Sequence, residues 1–255
     1  MSMKPANFIC SNAIIFRSFS KVINSFTYQM PVSELLASRF PVTLALTLMS
    51  TVISLVISLP LGYFAGVHKD RLGDQVVRTT SLVAISMPSF WVGLLLMIVF
   101  ALKLKWLPAG GWSDTLLGQF RCLILPAVTQ SLMTSALLLR NTRNSVVDIT
   151  RMDYVDFARS KGITSGEVRT RHVMRNAMIS TVTLLSMRMA AMLGGSVIIE
   201  TVFSVPGIGK LASDAIFGRD YAVVQYVVLL FAVLVLVINL ITDILYSFLD
   251  PRVNL

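Results

Sequence analysis

The sequence has little charge, and acidic residues are especially few. Only 14% of its 255 residues are charged, whereas 55% are hydrophobic, and the mean hydropathy is +0.75. So few charges cannot cover the apolar surface that this composition would leave on a domain in water, whereas a bilayer requires no such cover. The composition therefore excludes an ordinary soluble domain and favours a membrane protein.

The sequence also lacks the patterns that most catalytic and metal sites need. Its two cysteines, Cys10 and Cys122, lie far apart, and neither of its two histidines belongs to an H-E-x-x-H motif. There is no G-x-x-x-x-G-K-[ST] phosphate loop. These absences argue against an intramembrane protease and against ATP hydrolysis by this chain. We therefore expect the chain to have no enzymatic activity, no metal and no cofactor of its own.

Long, largely uncharged runs are what the sequence has in excess. Each is long enough to cross the hydrocarbon core as a helix of about 20 residues. They predict an all-α integral membrane protein with about five transmembrane helices in a domain over 40–250, after an atypical N-terminal segment, 1–39, that has only a short apolar patch at 8–16. The predicted spans are residues 40–67, 79–102, 122–139, 176–199 and 221–247.

The loops between the runs predict the orientation, because basic loops stay in the cytoplasm. Eight basic residues but only four acids lie within 140–175, and the loop 68–78 is also basic. The net charge of +9 therefore indicates membrane topology rather than nucleic-acid binding. Both loops are predicted to be cytoplasmic, which places the segment 103–121 and the N-terminal segment outside.

The long inner loop has the pattern of a helical elbow, a name used below for residues 153–176. A short helix is predicted over 153–161, where Tyr154, Phe157 and Ala158 share one apolar face at i, i+3, i+4 spacing. Gly162 follows, and glycine accepts the left-handed conformation that a helix stop requires.

A second helix is predicted to begin directly after this stop. Thr164 and Glu167 have the spacing of a T-x-x-E capping box, and the helix then runs into the span at 176–199. A rigid elbow could transmit force from a soluble partner to the membrane helices. The spacing alone leaves a second interpretation open, in which the basic loop only fixes the topology.

Several motifs resemble one family of transport proteins. The elbow contains YVDFARSKG at 154–162 and RHVMRNA at 171–177, which resemble the EAA loop of bacterial ABC importer permeases. The other motifs follow the order of the dipeptide/oligopeptide/nickel permease family, over roughly residues 25–253. They are SMPSFW at 86–91, GGSVIIE at 194–200, FSVPGIG at 203–209, RDY at 219–221 and DPR at 250–252.

The resemblance implies a MetI-like transmembrane domain in the bacterial inner membrane. Such a domain works with a second permease subunit, two cytoplasmic ATPases that bind ATP and magnesium, and an external substrate-binding protein. Members of the family usually begin with a further span and a long external segment. Since 1–39 matches neither, the resemblance implies a substituted start, a misassigned start or a truncation.

The resemblance also implies which residues meet the ATPase, because the EAA helix of the family docks in a groove of that subunit. Ala158 and Gly162 correspond to small residues at this contact. The remaining candidates for the coupling contact are aromatic or basic, and the basic ones could also contact lipid headgroups. They are Tyr154, Phe157, Arg159, Lys161, Arg171 and Arg175.

Four polar residues in or beside the spans are candidates for the translocation path: Arg188, Glu200, Asn239 and Asp243. Arg188 could line the path and attract a carboxylate, or it could pair with Glu200, with Asp243 or with backbone carbonyls inside the bundle. Asn239 and Asp243 are four residues apart and are expected on one helix face.

The predicted function is therefore a permease subunit of a binding-protein-dependent ABC importer for peptides, nickel or other small solutes. A stand-alone secondary carrier or channel is the alternative. Repeated glycines, at Gly62 and Gly66 and at 194–195, are predicted to be close helix-packing points rather than ligand sites.

Overall fold

The computed structural model describes residues 24–249, apart from the side chains at 165, 171, 172, 195 and 245–249. The apolar patch at 8–16, with the rest of the first 23 residues of the predicted N-terminal segment, and the DPR motif at 250–252 lie outside the described residues. The described residues form a bundle of helices. In chain order these are α1 (Val32–Val67), α2 (Leu72–Ser86), α3 (Ser89–Leu96, continued by the π-helical Met97–Lys103), α4 (Leu116–Thr150), α5 (Asp153–Ser160), α6 (Arg175–Val202, preceded by the turn Ser165–Glu167 and the π-helical Val168–Met174), α7 (Ile208–Phe217) and α8 (Tyr221–Leu249).

Four helices among the described residues are individually long and apolar enough to cross a bilayer. They are α1, α4, the helix that passes through 168–194 and α8, and the bent pair of α2 and α3 makes a fifth when it is counted as one span. The predicted all-α membrane fold is confirmed. The span predicted at 79–102 is not one straight helix, however, because α2 and α3 meet at an angle of 102°.

Proline explains the position of this bend. Pro88 follows Met87, and a residue before proline is driven out of the α region towards an extended conformation. Met87 accordingly has φ −89° and ψ 132°, so α2 ends at Ser86 and α3 begins at Ser89. Hydropathy cannot reveal such a bend, because the apolar run continues through it.

Two helices extend beyond their predicted spans because hydropathy ends at the first charges. α1 begins at Val32 rather than at residue 40, with Glu34 exposed in its first turn, where a carboxylate is favoured by the helix dipole. α4 continues to Thr150 rather than ending at 139. The predicted inner loop 140–175 is therefore helical at both ends, and only its middle forms a separate short helix.

α1 and α4 pack in parallel and form the centre of the bundle. The hydroxyl of Ser50 donates to Oε1 of Gln130 at 3.3 Å, across 80 positions of the chain. The same separation of 80 positions recurs further along both helices, where a Cβ on Gly62 would lie 2.8 Å from Cβ of Thr142. Parallel packing is what the first and third spans of an alternating topology require.

The glycine predictions have different outcomes. A Cβ on Gly66 would lie 2.6 Å from Cγ1 of Val146, so Gly62 and Gly66 are close packing points, as predicted. Gly194 is exposed in the chain, and a Cβ there would meet nothing within 4 Å. The prediction of close packing at 194–195 is therefore contradicted at Gly194 within this chain.

The start of α8 is tied to the residues just before α1. Asp220 accepts from the hydroxyl of Ser25 at 2.6 Å, from the amide of Thr27 at 3.1 Å and from the amide of Val223 at 3.3 Å. Burial opposes ionisation of the Asp220 carboxyl, but these hydrogen bonds outweigh it and lower its pKa below the usual range. The RDY motif at 219–221 thus has a structural role as a helix cap and a clamp.

Candidate functional site

The elbow begins with α5, whose end is set by Gly162. Gly162 has φ +81°, its amide donates to the carbonyl of Arg159 at 2.9 Å, and the next amide, of Ile163, donates to Ala158 at 3.4 Å. This pair of bonds is a Schellman stop, which requires a left-handed residue at the glycine position. The predicted helix and its glycine stop are both confirmed.

The inner face of α5 packs on the bundle. Val155 and Ala158 are buried, Ala158 being 6% exposed, and they belong to one core cluster with residues from α4 and from the start of α6. The predicted apolar face of Tyr154, Phe157 and Ala158 is therefore divided. Ala158 points inward and packs in this cluster, and the ATPase contact that the resemblance implies for it stays a prediction.

The outer face of α5 presents an aromatic ring and positive charge. Phe157 is 61% exposed, and Nζ of Lys161 lies 4.5 Å from the centre of its ring, within the range of a cation–π contact. Arg159 is exposed and pairs with Asp156 at 3.2 Å. This outward surface is available to a partner, whereas the inner face is already occupied.

Hydrogen bonds join the elbow to the next membrane helix. Nδ2 of Asn176 donates to the hydroxyl of Tyr154 at 2.8 Å, which links α5 to the start of α6. The hydroxyl of Thr164 accepts from the amide of Glu167 at 3.3 Å, so the predicted cap begins the second helix. The helix then continues through Val168–Met174 into α6 without a break. One hydrogen bond and one continuous helix therefore connect the elbow to α6.

Two further basic candidates lie on this continuous helix. Arg175 is exposed at its first α-helical position and is available for polar contacts. Arg171 lies in the π-helical segment, and its side chain is outside the described part of the structure. The predicted contacts of both residues with an ATPase or with lipid headgroups stay predictions.

A buried ion pair, which the sequence analysis missed, joins the start of α2 to α4. Nε and Nη2 of Arg143 donate to the two carboxylate oxygens of Asp74 at 3.0 and 2.6 Å, and Asp74 is fully buried. The amide of Asp70 also donates to Asp74, at 3.0 Å. The only sequence signal is two acidic residues, Asp70 and Asp74, within an otherwise basic inner loop, and it does not identify the partner of either.

Glu200, one of the path candidates, has a structural role in the bundle. It is 0% exposed, its Oε1 accepts from the hydroxyl of Thr43 at 2.7 Å, and its Oε2 accepts from the amide of Lys210 at 2.9 Å. The same hydroxyl of Thr43 accepts from the amide of Ile208 at 2.8 Å, so together they cap α7. Gly207 leaves room for this carboxylate, because a Cβ there would overlap it.

The other three path candidates are more accessible. Arg188 is half-buried on α6 and makes no hydrogen bond or ion pair with any residue of the described range 24–249. Pairing with Glu200, Asp243 or backbone carbonyls is therefore not observed. Asn239 and Asp243 are both exposed on α8, and their place in a path stays a prediction.

Fold and site together define a class of protein. The bundle crosses the membrane about five times, and beneath its basic side it holds a rigid elbow with a free aromatic and basic face. This is the architecture of a membrane permease domain that is moved by a soluble partner.

Comparison with known proteins identifies the family. The model of the binding-protein-dependent transport system inner membrane component matches residues 58–255, which is well over half of the chain. The chain belongs to this family, and it is a multi-pass inner-membrane permease subunit of a binding-protein-dependent ABC importer. It is a transport subunit rather than an enzyme, as predicted.

Individual relatives cover most of the chain. It is 38% identical over 233 residues to a peptide transport system permease protein of Brucella suis, which is 90% of this chain and 74% of the relative. It is 40% identical over 230 residues to the oligopeptide transport system permease protein AppB of Bacillus subtilis, with 88% and 72% covered. The glutathione transport system permease protein GsiC of Salmonella choleraesuis is 39% identical over 230 residues, with 90% and 74% covered.

Solved structures support the fold. The MetNI methionine ABC transporter, in inward-facing conformations, matches with a TM-score of 0.71 at 18% identity, over 86% of this chain and 98% of that one. An amino acid ABC transporter solved with histidines matches with a TM-score of 0.64 at 16% identity, over 84% and 94%. The predicted MetI-like fold is thereby confirmed.

Proposed function

We propose that this chain imports peptides as one of two permease subunits, driven by two cytoplasmic ATPases and supplied by an external binding protein. The names of the relatives support this cargo, since they are a peptide, an oligopeptide and a glutathione permease. Those names favour peptides over nickel, the other cargo that the resemblance left open. ATP and magnesium belong to the ATPases in this proposal.

The observation that supports ATPase coupling best is the two-sided elbow. Its inner face is packed on α4 and α6, while Phe157 and Lys161 face outward. A partner that holds the outer face and moves on nucleotide binding would displace both membrane helices together. A groove that accepts a phenyl ring and carries carboxylates opposite Lys161 and Arg159 would fit this surface.

The first prediction tests this contact in the complex purified with its ATPases. Phe157→Glu places a charge where the ring is expected to fill a partner groove, and we expect the ATPase affinity to fall by about tenfold or more, as for a buried aromatic anchor. ATP-driven uptake into vesicles should fall in parallel. The chain itself should stay folded, because Phe157 is 61% exposed within it.

A matched control is available on the opposite side of the bundle. Phe217 ends α7 and is 86% exposed, so Phe217→Glu makes the same change far from the elbow and should leave ATPase retention unchanged. Retention of the ATPases by the Phe157→Glu variant would contradict coupling through α5. Peptide uptake that continues without ATP would favour a secondary carrier instead.

A further inference from the structure

A cavity on the cytoplasmic side lies outside the elbow and the path candidates. It encloses about 250 Å³ between α2, the turn before it and α4. Four basic residues line it, but two of them have partners: Arg143 is held by Asp74, and Lys69 lies 3.8 Å from Asp70. The two that remain are Arg78 and Arg140.

These two guanidinium groups are uncompensated at short range. Neither Arg78 nor Arg140 makes a hydrogen bond or ion pair with a residue in the described part of the chain, although Arg78 adds a longer-range attraction to Asp74. Both side chains are exposed and line the same partly open cavity, so two like charges face one space that a ligand can enter. An anion between them would relieve their repulsion and could accept several charge-assisted hydrogen bonds.

The depth of the two arginines places this anion at the membrane surface. Arg78 directly precedes the apolar run predicted at 79–102, and Arg140 directly follows the run at 122–139. α4 continues to Thr150, which lies about 15 Å further into the cytoplasm at 1.5 Å per residue. The cavity is therefore at the level of lipid headgroups, well above the surface that the elbow presents.

The deeper wall of the cavity is apolar. Leu82 and Ile85, one and two turns beyond Arg78 in α2, line it together with Leu139, and Leu82 is 54% exposed. A ligand that fits has a phosphate at the level of the arginines and a hydrocarbon chain beside the leucines. Free phosphate fits the arginines but leaves this wall unused.

We propose that this cavity binds the phosphodiester of an anionic phospholipid, with Arg78 and Arg140 as its ligands and the acyl chains directed along Leu82. The site joins α2 to α4, so a bound lipid would act as a further contact between them beside the Asp74–Arg143 pair. Basic pockets between membrane helices on the cytoplasmic side are known sites for such headgroups.

The test compares phosphatidylglycerol binding by the purified permease complex and by the Arg78→Gln/Arg140→Gln double variant, measured by native mass spectrometry and by thermal stabilisation during lipid titration. Two basic contacts are lost, so the half-saturating lipid concentration should rise by about tenfold or more. A charge-matched control, Lys103→Gln/Lys105→Gln, removes two charges from the predicted outer segment and should titrate like the unchanged protein.

Three arms decide the outcome. Phosphatidylcholine should stabilise the unchanged complex far less than phosphatidylglycerol does. Unchanged phosphatidylglycerol binding by the double variant would overturn the proposal, and so would equal stabilisation by inorganic phosphate, which would make the site one for a free anion. Competition by a peptide substrate would assign the arginines to the translocation path and overturn it too.

Discussion

The contact between Glu200 and Gly207 shows how one side chain can restrict which residue fits at another position. The carboxylate is fully buried and caps α7, and it occupies the space where a Cβ of residue 207 would lie. Gly207 has φ −97°, which any residue can adopt, so glycine is required here for space and not for backbone conformation. The sequence made Glu200 only a candidate for the translocation path, because it does not show the contact with Thr43, 157 positions away.

The second prediction follows from this crowding. Gly207→Ala should displace the carboxylate from its donors and destabilise the protein by about 1–3 kcal/mol, the cost of overpacking a close contact. A lower midpoint of thermal unfolding in detergent would show this. Gly194→Ala adds the same methyl group in open space and should leave the midpoint unchanged or slightly higher. Equal midpoints for the two variants would contradict the cap.

The third prediction concerns Arg188, whose guanidinium has no partner within the described range 24–249. If it attracts the carboxylate of a peptide, Arg188→Gln should reduce uptake of peptides with a free C-terminus by about tenfold or more, the value of a charge-assisted hydrogen bond. Uptake of C-terminally amidated peptides should fall much less. The ratio of variant to unchanged uptake is compared for each peptide, so that the preference of the binding protein cancels.

Arg188→Lys supplies the control for this experiment. It keeps the charge but loses the bidentate fork, so it should recover part of the discrimination between the two peptides. An equal loss for both peptides, or a fall in the amount of protein in the membrane, would instead assign Arg188 a structural role in the bundle.

At the scale of the elements, the elbow depends on a single backbone conformation. Gly162 has φ +81° with nothing within 4 Å of its Cβ position, so a substitution there meets backbone strain and no steric clash. An L-residue in the left-handed region costs about 1–2 kcal/mol. Loss of the stop would change the direction in which the chain leaves α5 and enters the second helix.

The fourth prediction is that Gly162→Ala weakens coupling, measured as substrate-stimulated ATP hydrolysis by the complex, while Gly162→Asn does so less, since asparagine tolerates this conformation better. Gly166→Ala lies in the same elbow, in open space and in a helix, and should be neutral. Normal stimulation in the Gly162→Ala variant would show that the direction set by this stop does not matter for transport.

Local patterns in the sequence were enough to predict the elements but not their directions. The helix over 153–161, its glycine stop and the Thr164 cap of the following helix depend on neighbouring residues, and all three were predicted. The inward direction of Ala158 depends on side chains of α4 and α6, which the sequence does not bring together. The extension of α4 to Thr150 was missed for a different reason, since a helix that leaves the membrane becomes polar without ending.

At the scale of the whole molecule, the motifs identify the family, whereas the burial of their residues shows which of them hold the helices together. The motifs at 194–200, 203–209 and 219–221 supported the family resemblance, and the structure shows two of their acids as caps that join distant helices. The coupling motif at 154–162 combines a buried half with an exposed half. Recognition of a family from such motifs therefore identified the fold correctly while leaving open which residues touch a partner.

The fifth prediction concerns the sidedness on which the coupling proposal depends. In a background with Cys10→Ser and Cys122→Ser, Phe157→Cys and Phe217→Cys each introduce one exposed thiol, at opposite ends of the bundle. Since basic loops stay in the cytoplasm, a membrane-impermeant maleimide should label position 217 in intact spheroplasts, and position 157 only in inside-out vesicles from cells that lack the ATPases, which would otherwise cover it. Labelling of position 157 from outside would place the elbow away from any cytoplasmic ATPase. Both the coupling contact and the headgroup-level cavity would then lose their physical basis, because each requires the side of the membrane where Arg140 and the elbow lie to be the inner one.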